Sequence, residues 1–386
     1  MPNYPDLSEL TDRMPQSGIR EVFDAAQEYD DLADMSIGEP DFATPKPIAT
    51  AVADALGTGV SSYTTSTGRA DLREALARKL AAENGIDVDP AEELIVTPGA
   101  MGALFGSLNV LCDPGEEVLV PEPYWPNFHG HVASAGAEFV PLPTDETFVP
   151  EAETVADAVT EETVAIVLNT PANPTGAVIP PARLEAIADV ASENDLWIVA
   201  DETYEHLVYD GATHHSLASE TGRFEHCVTV HSFSKSYAMT GWRVGYASAP
   251  AHVVDGMRVL QEHSTSSIAE PAQVAAIAAL EHREVVDEIH EAFAERRELV
   301  LDRLESIDGV DPGTPRGAFY VFADVSAHTD DSRAFVDRLM AEAGVAAVPG
   351  TVFGDDSEGY VRFSYATDPE TIETAMDRLE AFLGTA

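Results

Sequence analysis

Residues 227–248, "CVTVHSFSKSYAMTGWRVGYAS", decide the fold. The stretch opens with a short apolar, β-branched run, the mark of a strand buried on both faces, and closes with a second one, "RVGYAS". Between them a Ser-Phe-Ser-Lys segment leaves the sheet, and "AMTGW" turns the chain back. Upstream, "ELIVT", "EVLVP", "VAIVLN" and "LWIVAD" repeat the strand pattern. Helical stretches separate them, such as residues 70–83 and 181–193, with apolar positions three and four apart. This alternation over residues 48–285 predicts an α/β domain on a mostly parallel sheet, six strands of which are readable. After Pro271 one long helical stretch is expected, and then "GAFYVFADV", "GVAAVPG" and "YVRFSYA" with a last helix form a smaller α+β domain, residues 286–386. Residues 1–47, with Gly18, Pro40, Pro45 and Pro47, read as an irregular arm and connector belonging to that smaller domain.

Composition narrows the function. The 386 residues carry 68 Asp plus Glu against 21 Lys plus Arg, a net charge of −47 spread along the chain, which excludes nucleic acid and anionic membrane as partners. Only three lysines occur, Lys46, Lys79 and Lys235. Dense carboxylates with so little lysine suit a surface kept hydrated in high salt, and a halophilic source is expected. The start "MPNYPDLSEL" has no basic or apolar leader character, and no apolar run reaches bilayer length, so a cytoplasmic protein is expected. Cys112 and Cys227 read as buried free thiols, and none of the 12 histidines falls in a metal-binding spacing. His214 and His215 read as structural or solvated, and no metal is expected.

Ligands of open α/β sheets bind at the carboxyl ends of the strands, so the residues there matter most. After "VAIVLN" comes Asn173, after "LWIVA" come Asp201 and Tyr204, and after "CVTVHS" comes Lys235. A lysine able to lose its proton attacks aldehydes. A second set suits an anion: Gly99 and the start of a helix present the free NH groups of Ala100 and Met101, while Ser232, Ser234 and Arg243 flank the lysine. An aldehyde cofactor bearing a phosphate is pyridoxal 5'-phosphate, whose ring nitrogen needs a carboxylate such as Asp201. Taken singly, each residue also has a structural reading: Asp201 as a cap, Asn173 as a turn residue, Trp125 as core, Arg362 as an ion-pair member, Gly99 as a tight turn. All of these would have to hold together.

"NTPANPTG", "ADETY" and "SFSKSYAMTGWRVGY", with "SIGEPDF", "YTTSTGRADLR", "TPGAMGALFG", "PEPYW" and "YVRFSYA", resemble the motifs of the class I/II aminotransferases of fold type I. The order and spacing agree along nearly the whole chain, and "SGIREVFDAAQE" is most similar to the archaeal and thermophilic aspartate or aromatic branch. The resemblance implies an aspartate-aminotransferase-like fold with a seven-stranded sheet. It implies that Lys235 holds the cofactor covalently and shuttles the proton, with Asp201 on the ring nitrogen and Asn173 and Tyr204 on the phenolic oxygen. Trp125 then stacks on the ring, and Ala100, Met101, Ser232 and Arg243 cradle the phosphate. Tyr63 reaches the phosphate of a neighbouring subunit, which implies a homodimer with shared sites. Arg362 grips the substrate carboxylate, assisted by the backbone of Gly38 in a segment that orders on closure. Asn169 either contributes or only ends its strand, and the role of Ser234 is open.

The implied activity is transfer of an amino group from an L-amino acid, aspartate, aromatic or similar, to a 2-oxo acid such as 2-oxoglutarate by a ping-pong cycle. A carbon–sulfur β-lyase or related synthase on the same scaffold is the alternative. A non-catalytic cofactor-binding regulator is a third reading, disfavoured by the acidity and by the absence of an added module.

Overall fold

The computed structural model describes residues 8–220 and 222–384, so most of the stretch read for a leader lies outside the described residues. The large sheet has seven strands: β1 (Leu94–Thr97), β2 (Glu117–Pro121), β3 (Glu138–Leu142), β4 (Thr163–Asn169), β5 (Trp197–Asp201), β6 (Cys227–Ser232) and β7 (Gly245–Ser248). Their order is β1-β7-β6-β5-β4-β2-β3. β7 runs antiparallel to both neighbours and the remaining pairs are parallel. Six of these strands are the runs read from the sequence; β3, "EFVPL", is the addition. It lies at the sheet edge with partly exposed residues, where Pro141 costs no needed hydrogen bond, and so lacks the buried apolar texture of the others. Apolar layers cover both faces, one with Leu119, Ile166 and Ile198, the other with Val118, Val167 and Val199, as strand alternation requires.

The helices of the described residues include α1 (Gly18–Ala26), α2 (Lys46–Gly57), α3 (Ala70–Lys79), α4 (Gly99–Leu111), α5 (Pro181–Glu193), α6 (Glu270–Glu281), α7 (Glu284–Glu305) and α8 (Pro369–Gly384). Two expectations change. The long helix expected after Pro271 is two helices, α6 and α7. His282, at φ −119°, ψ 64°, leaves helical geometry between them. The break lets α6 pack on the core of the large sheet while Ile289, Phe293 and Val300 of α7 join a second core. The arm is not irregular throughout, because α1 is an amphipathic helix that buries Val22 and Ala26.

The second core surrounds a three-stranded antiparallel sheet in the order β9-β10-β8, where β8 is Tyr320–Asp324, β9 is Val348–Pro349 and β10 is Tyr360–Ser364. Ala33–Asp34 of the arm pairs in parallel with Val345–Ala346, fastening the N-terminal segment to this unit. Among the described residues no helix is long and apolar enough to cross a membrane.

Candidate active site

The carboxyl ends of β4, β5 and β6, the N-terminus of α4 and the small sheet enclose a cavity of about 240 Å³. Gly38, Ala100, Met101, Trp125, Asn173, Asp201, Tyr204, Ser232, Lys235, Arg243 and Arg362 all line it. Tyr63 does not; it is 91% exposed on the surface of its own chain.

Parallel strands explain the convergence. β4, β5 and β6 pair in register, with Asn169 opposite Asp201 and Asp201 opposite Val230, so the segments that follow them emerge along one rim. Asn169 does more than end its strand. Its side chain donates to the Asp201 carbonyl (3.1 Å) and accepts from the Asn173 backbone NH (2.9 Å), which fixes two functional segments to each other.

Lys235 Nζ donates to the Gly38 carbonyl at 2.6 Å. Desolvation lowers its pKa to about 8, helped by the cations Arg362 and Arg243 and opposed by Glu39 and Asp201. An amine that titrates there is available as a nucleophile and base near neutrality. Asp201, 4% exposed, is shifted the other way: burial raises its pKa, and its Oδ1 accepts a hydrogen bond from the Thr203 NH at 3.1 Å. A cationic partner placed against it would restore its charge. Tyr204 Oη lies 2.9 Å from Tyr320 Oη, and burial, then Tyr320, pushes its pKa well above the usual value.

The anion set is equally local. Gly99, at φ +73°, begins α4, and a Cβ there would come within 2.9 Å of Arg243 Nη2. The positive φ favours glycine, and the missing Cβ leaves room for the guanidinium beside the open helix end. Arg243 itself holds φ +53°, a strained backbone for a residue with a side chain, and its Nη1 donates to the Thr240 carbonyl. Ser232 Oγ donates to Ser234 Oγ (2.9 Å) and accepts from the Ser234 NH (3.1 Å), and both residues line the cavity. This donor set fits a phosphate monoester beside the lysine.

Arg362, on β10, is 1% exposed. Its Nη1 donates to Asn173 Oδ1 (2.8 Å), its Nη2 donates to the Ser36 carbonyl (2.6 Å), and its buried Nε has no partner. The guanidinium lies 4.5 Å from the Tyr320 ring centroid and 4.9 Å from that of Phe353. A buried cation held by neutral acceptors and aromatic faces has a charge that a carboxylate could match.

Sequence reading missed Tyr320, Thr203 and Ile19, which also line the cavity. Tyr320 lies inside the apolar run "GAFYVFADV", and a Cβ at Gly38 would collide with its hydroxyl. Its polar end was the available signal, since a buried tyrosine hydroxyl seeks a partner.

The model of the family "Aminotransferase class I and II" matches residues 30–379. The aspartate aminotransferase of Pyrococcus abyssi is 40% identical over 98% of both chains. The aromatic-amino-acid aminotransferase 2 of Thermococcus litoralis is also 40% identical, over 98% of both. The solved aspartate aminotransferase from Thermus thermophilus with maleate superposes with a TM-score of 0.93 at 41% identity, covering 98% of this chain and all of that one. With a lysine, a carboxylate and donors suited to an anion lining one cavity of this fold, the chain belongs to the class I and II aminotransferases and is a pyridoxal-phosphate-dependent transaminase.

Proposed function

We propose that the chain transfers the amino group of an L-amino acid, aspartate or aromatic as in the names of its relatives, to 2-oxoglutarate in a ping-pong cycle. The observation that carries this is Arg362, a buried guanidinium with a free Nε and no carboxylate partner among the described residues, in the same cavity as Lys235. Pyridoxal 5'-phosphate, when bound, supplies an electron sink for the α-carbon of the substrate. Lys235 holds its aldehyde, Asp201 its ring nitrogen, Asn173 and Tyr204 its phenolic oxygen, and Trp125 its ring face. Ala100, Met101, Ser232 and Arg243 hold its phosphate.

The chain's own groups then divide the work. Arg362 and the backbone of Gly38 orient the donor's carboxylate, so that its α-hydrogen faces Lys235. The Lys235 amine, released when the donor's amino group takes its place, would take the proton from the donor's α-carbon and deliver it to the aldehyde-derived carbon of the cofactor; in the reverse half-cycle it would move a proton from that carbon to the α-carbon of the acceptor. A pKa near 8 leaves part of it uncharged at neutral pH.

The same reading assigns residues 48–285 to a large cofactor-binding domain, and 286–386 with the arm 1–47 to a small one. It includes a homodimer in which the exposed Tyr63 reaches the phosphate of its partner. It also includes a cytoplasmic location and a surface adapted to high salt, supported by the net charge of −47. A single-turnover experiment with donor alone tests the activity: one equivalent of 2-oxo acid forms and the reaction stops until an acceptor is added. Continued turnover with ammonia release would overturn it in favour of a lyase. Screening donors against 2-oxoglutarate then identifies the amino acid.

A further inference from the structure

Behind the rim lies a second cluster of charge that the chemistry above does not use. Glu202 and Glu205 flank Thr203 and Tyr204 in the sequence, yet neither lines the cavity. Lys79 Nζ donates to both carboxylate oxygens of Glu205 (2.6 and 2.5 Å) and to Asn84 Oδ1 (2.7 Å). Asn84 Nδ2 in turn donates to Glu205 and to Ser216, each at 2.8 Å. Ser216 Oγ donates to Glu202 at 2.5 Å, and His214 Nε2 lies 2.8 Å from the same carboxylate oxygen. His231, which precedes Ser232, places Nδ1 3.2 Å from Glu205 and stacks on Tyr246 with centroids 4.9 Å apart.

Two features mark this cluster as more than filler. The chain has three lysines, and one of them stands here, 7% exposed. Its helix α3 ends in a π turn, Leu80–Asn84, closed by Gly85 in the left-handed region. The wider turn sets Lys79 and Asn84, five apart, on one side so that both reach Glu205, a local irregularity of the kind found at functional sites. Ligand atoms of Glu202, Glu205 and His214 lie within 4.8 Å of one another, a metal-like spacing, but the ammonium of Lys79 already occupies both Glu205 oxygens.

The cluster grips residues 201–205 from behind at positions 202 and 205. Tyr204 lies between these two positions and Asp201 just before them; the Asp201 backbone is fixed by strand pairing and by Asn169, while its carboxyl accepts from the Thr203 NH and the Tyr204 hydroxyl meets Tyr320. His231 and Glu202 also act on the Asp201 carboxyl with opposite sign, the first favouring its charge and the second opposing it. We infer that Lys79, acting through Glu205, is a positioning residue of the active site, fixing where Asp201 and Tyr204 stand toward the cofactor. This rests on the cofactor contacts proposed above.

The experiment titrates cofactor-depleted protein with pyridoxal 5'-phosphate and follows the visible band, for the parent chain, Lys79→Met and Leu76→Ala. Leu76 is a fully buried apolar residue one turn earlier in α3, so its truncation loosens the same helix without touching the charges. Lys79→Met is expected to bind the cofactor about tenfold more weakly, the equivalent of one charge-assisted hydrogen bond. Its amides at 202–205 should exchange faster in the cofactor-free protein, and Lys79→Arg should recover most of the affinity. Leu76→Ala, despite its lower melting temperature, should stay within about twofold of the parent. Equal affinity for parent and Lys79→Met, or an equal loss in Leu76→Ala, overturns the inference alone. A parent chain that develops no visible band overturns the proposed function and this inference with it. If Lys79→Met does not fold, Glu205→Gln is read in the same titration against the same outcomes.

Discussion

Lys79 and Lys235 serve strand ends of one sheet and solve the burial of an ammonium in opposite ways. Lys79 meets a carboxylate head-on, with both Glu205 oxygens within 2.6 Å. Lys235 donates to the carbonyl of Gly38 and lies 5.7 Å from the centroid of the Phe319 ring, with no carboxylate in salt-bridge reach among the described residues. The arginines divide likewise. Arg296 and Arg297, 7% and 5% exposed, pair with Asp41 and Asp210. Arg362, more deeply buried, has an amide and a carbonyl for acceptors and an idle Nε. Buried cations matched with carboxylates have spent their charge on the fold, whereas those left with neutral acceptors keep it for a ligand.

The contrast predicts opposite signs for the same kind of substitution. Lys79→Met leaves the buried Glu205 carboxyl without its main counter-charge. Burial works against the charged carboxylate, and Lys79, with His231 and His206, is what holds the carboxyl well below its usual range. A loss of about 3–5 kcal/mol in unfolding free energy is expected, the usual result of breaking a buried pair by removing one partner. Urea denaturation at pH 7 measures it. A loss below about 1 kcal/mol would mean that water reaches Glu205 and that the two lysines do not differ in kind.

Lys235→Met should do the reverse in the cofactor-free protein, stabilising it by about 2 kcal/mol at pH 7 once the open side of the cavity is allowed for. The sign follows from the lowered pKa. Between about 8 and 10.5 the unfolded chain binds more protons at this lysine than the folded chain, so parent stability rises across that window. The gain in the variant is therefore complete below pH 8 and fades as pH approaches 10.5. Denaturation curves at pH 7 and pH 10 separate this from a simple packing change, which would be the same at both. The substitution is also expected to abolish transamination, so that stability and activity part at this residue.

The sequence made one of these lysines legible and hid the other. Lys235 follows a buried strand and sits among serines and an arginine, so its neighbours in the chain reveal its task. Lys79 lies in an ordinary amphipathic helix; its partner is 126 residues away, and the π turn that aims it breaks no apolar spacing. Core strands were readable because burial on both faces leaves a continuous apolar run. The edge strand β3 was not, since Pro141 and its exposed positions resemble a loop. Helices α6 and α7 merged in the reading because apolar periodicity persists through His282, and only tertiary packing separates the two cores they serve. Tyr320 and Asn169 were underread for the same reason: their partners, Tyr204 and Asp201, come together only when the sheets fold.

The smallest effect tests the third cation. Arg362→Lys keeps a positive charge but loses the planar fork that can meet a carboxylate with two parallel hydrogen bonds. The shorter, single-centred ammonium cannot reach Asn173 and the Ser36 carbonyl while also offering two donors to a ligand. The expected result is a rise in KM of roughly tenfold, equal for every amino donor, because all of them present the same α-carboxylate. Steady-state kinetics with one acidic and one aromatic donor read it directly. A loss confined to the acidic donor would place Arg362 at the distal carboxylate instead. No loss with either would mean that this guanidinium, like Arg296 and Arg297, belongs to the fold, and the division between matched and unmatched cations would fail at its clearest member.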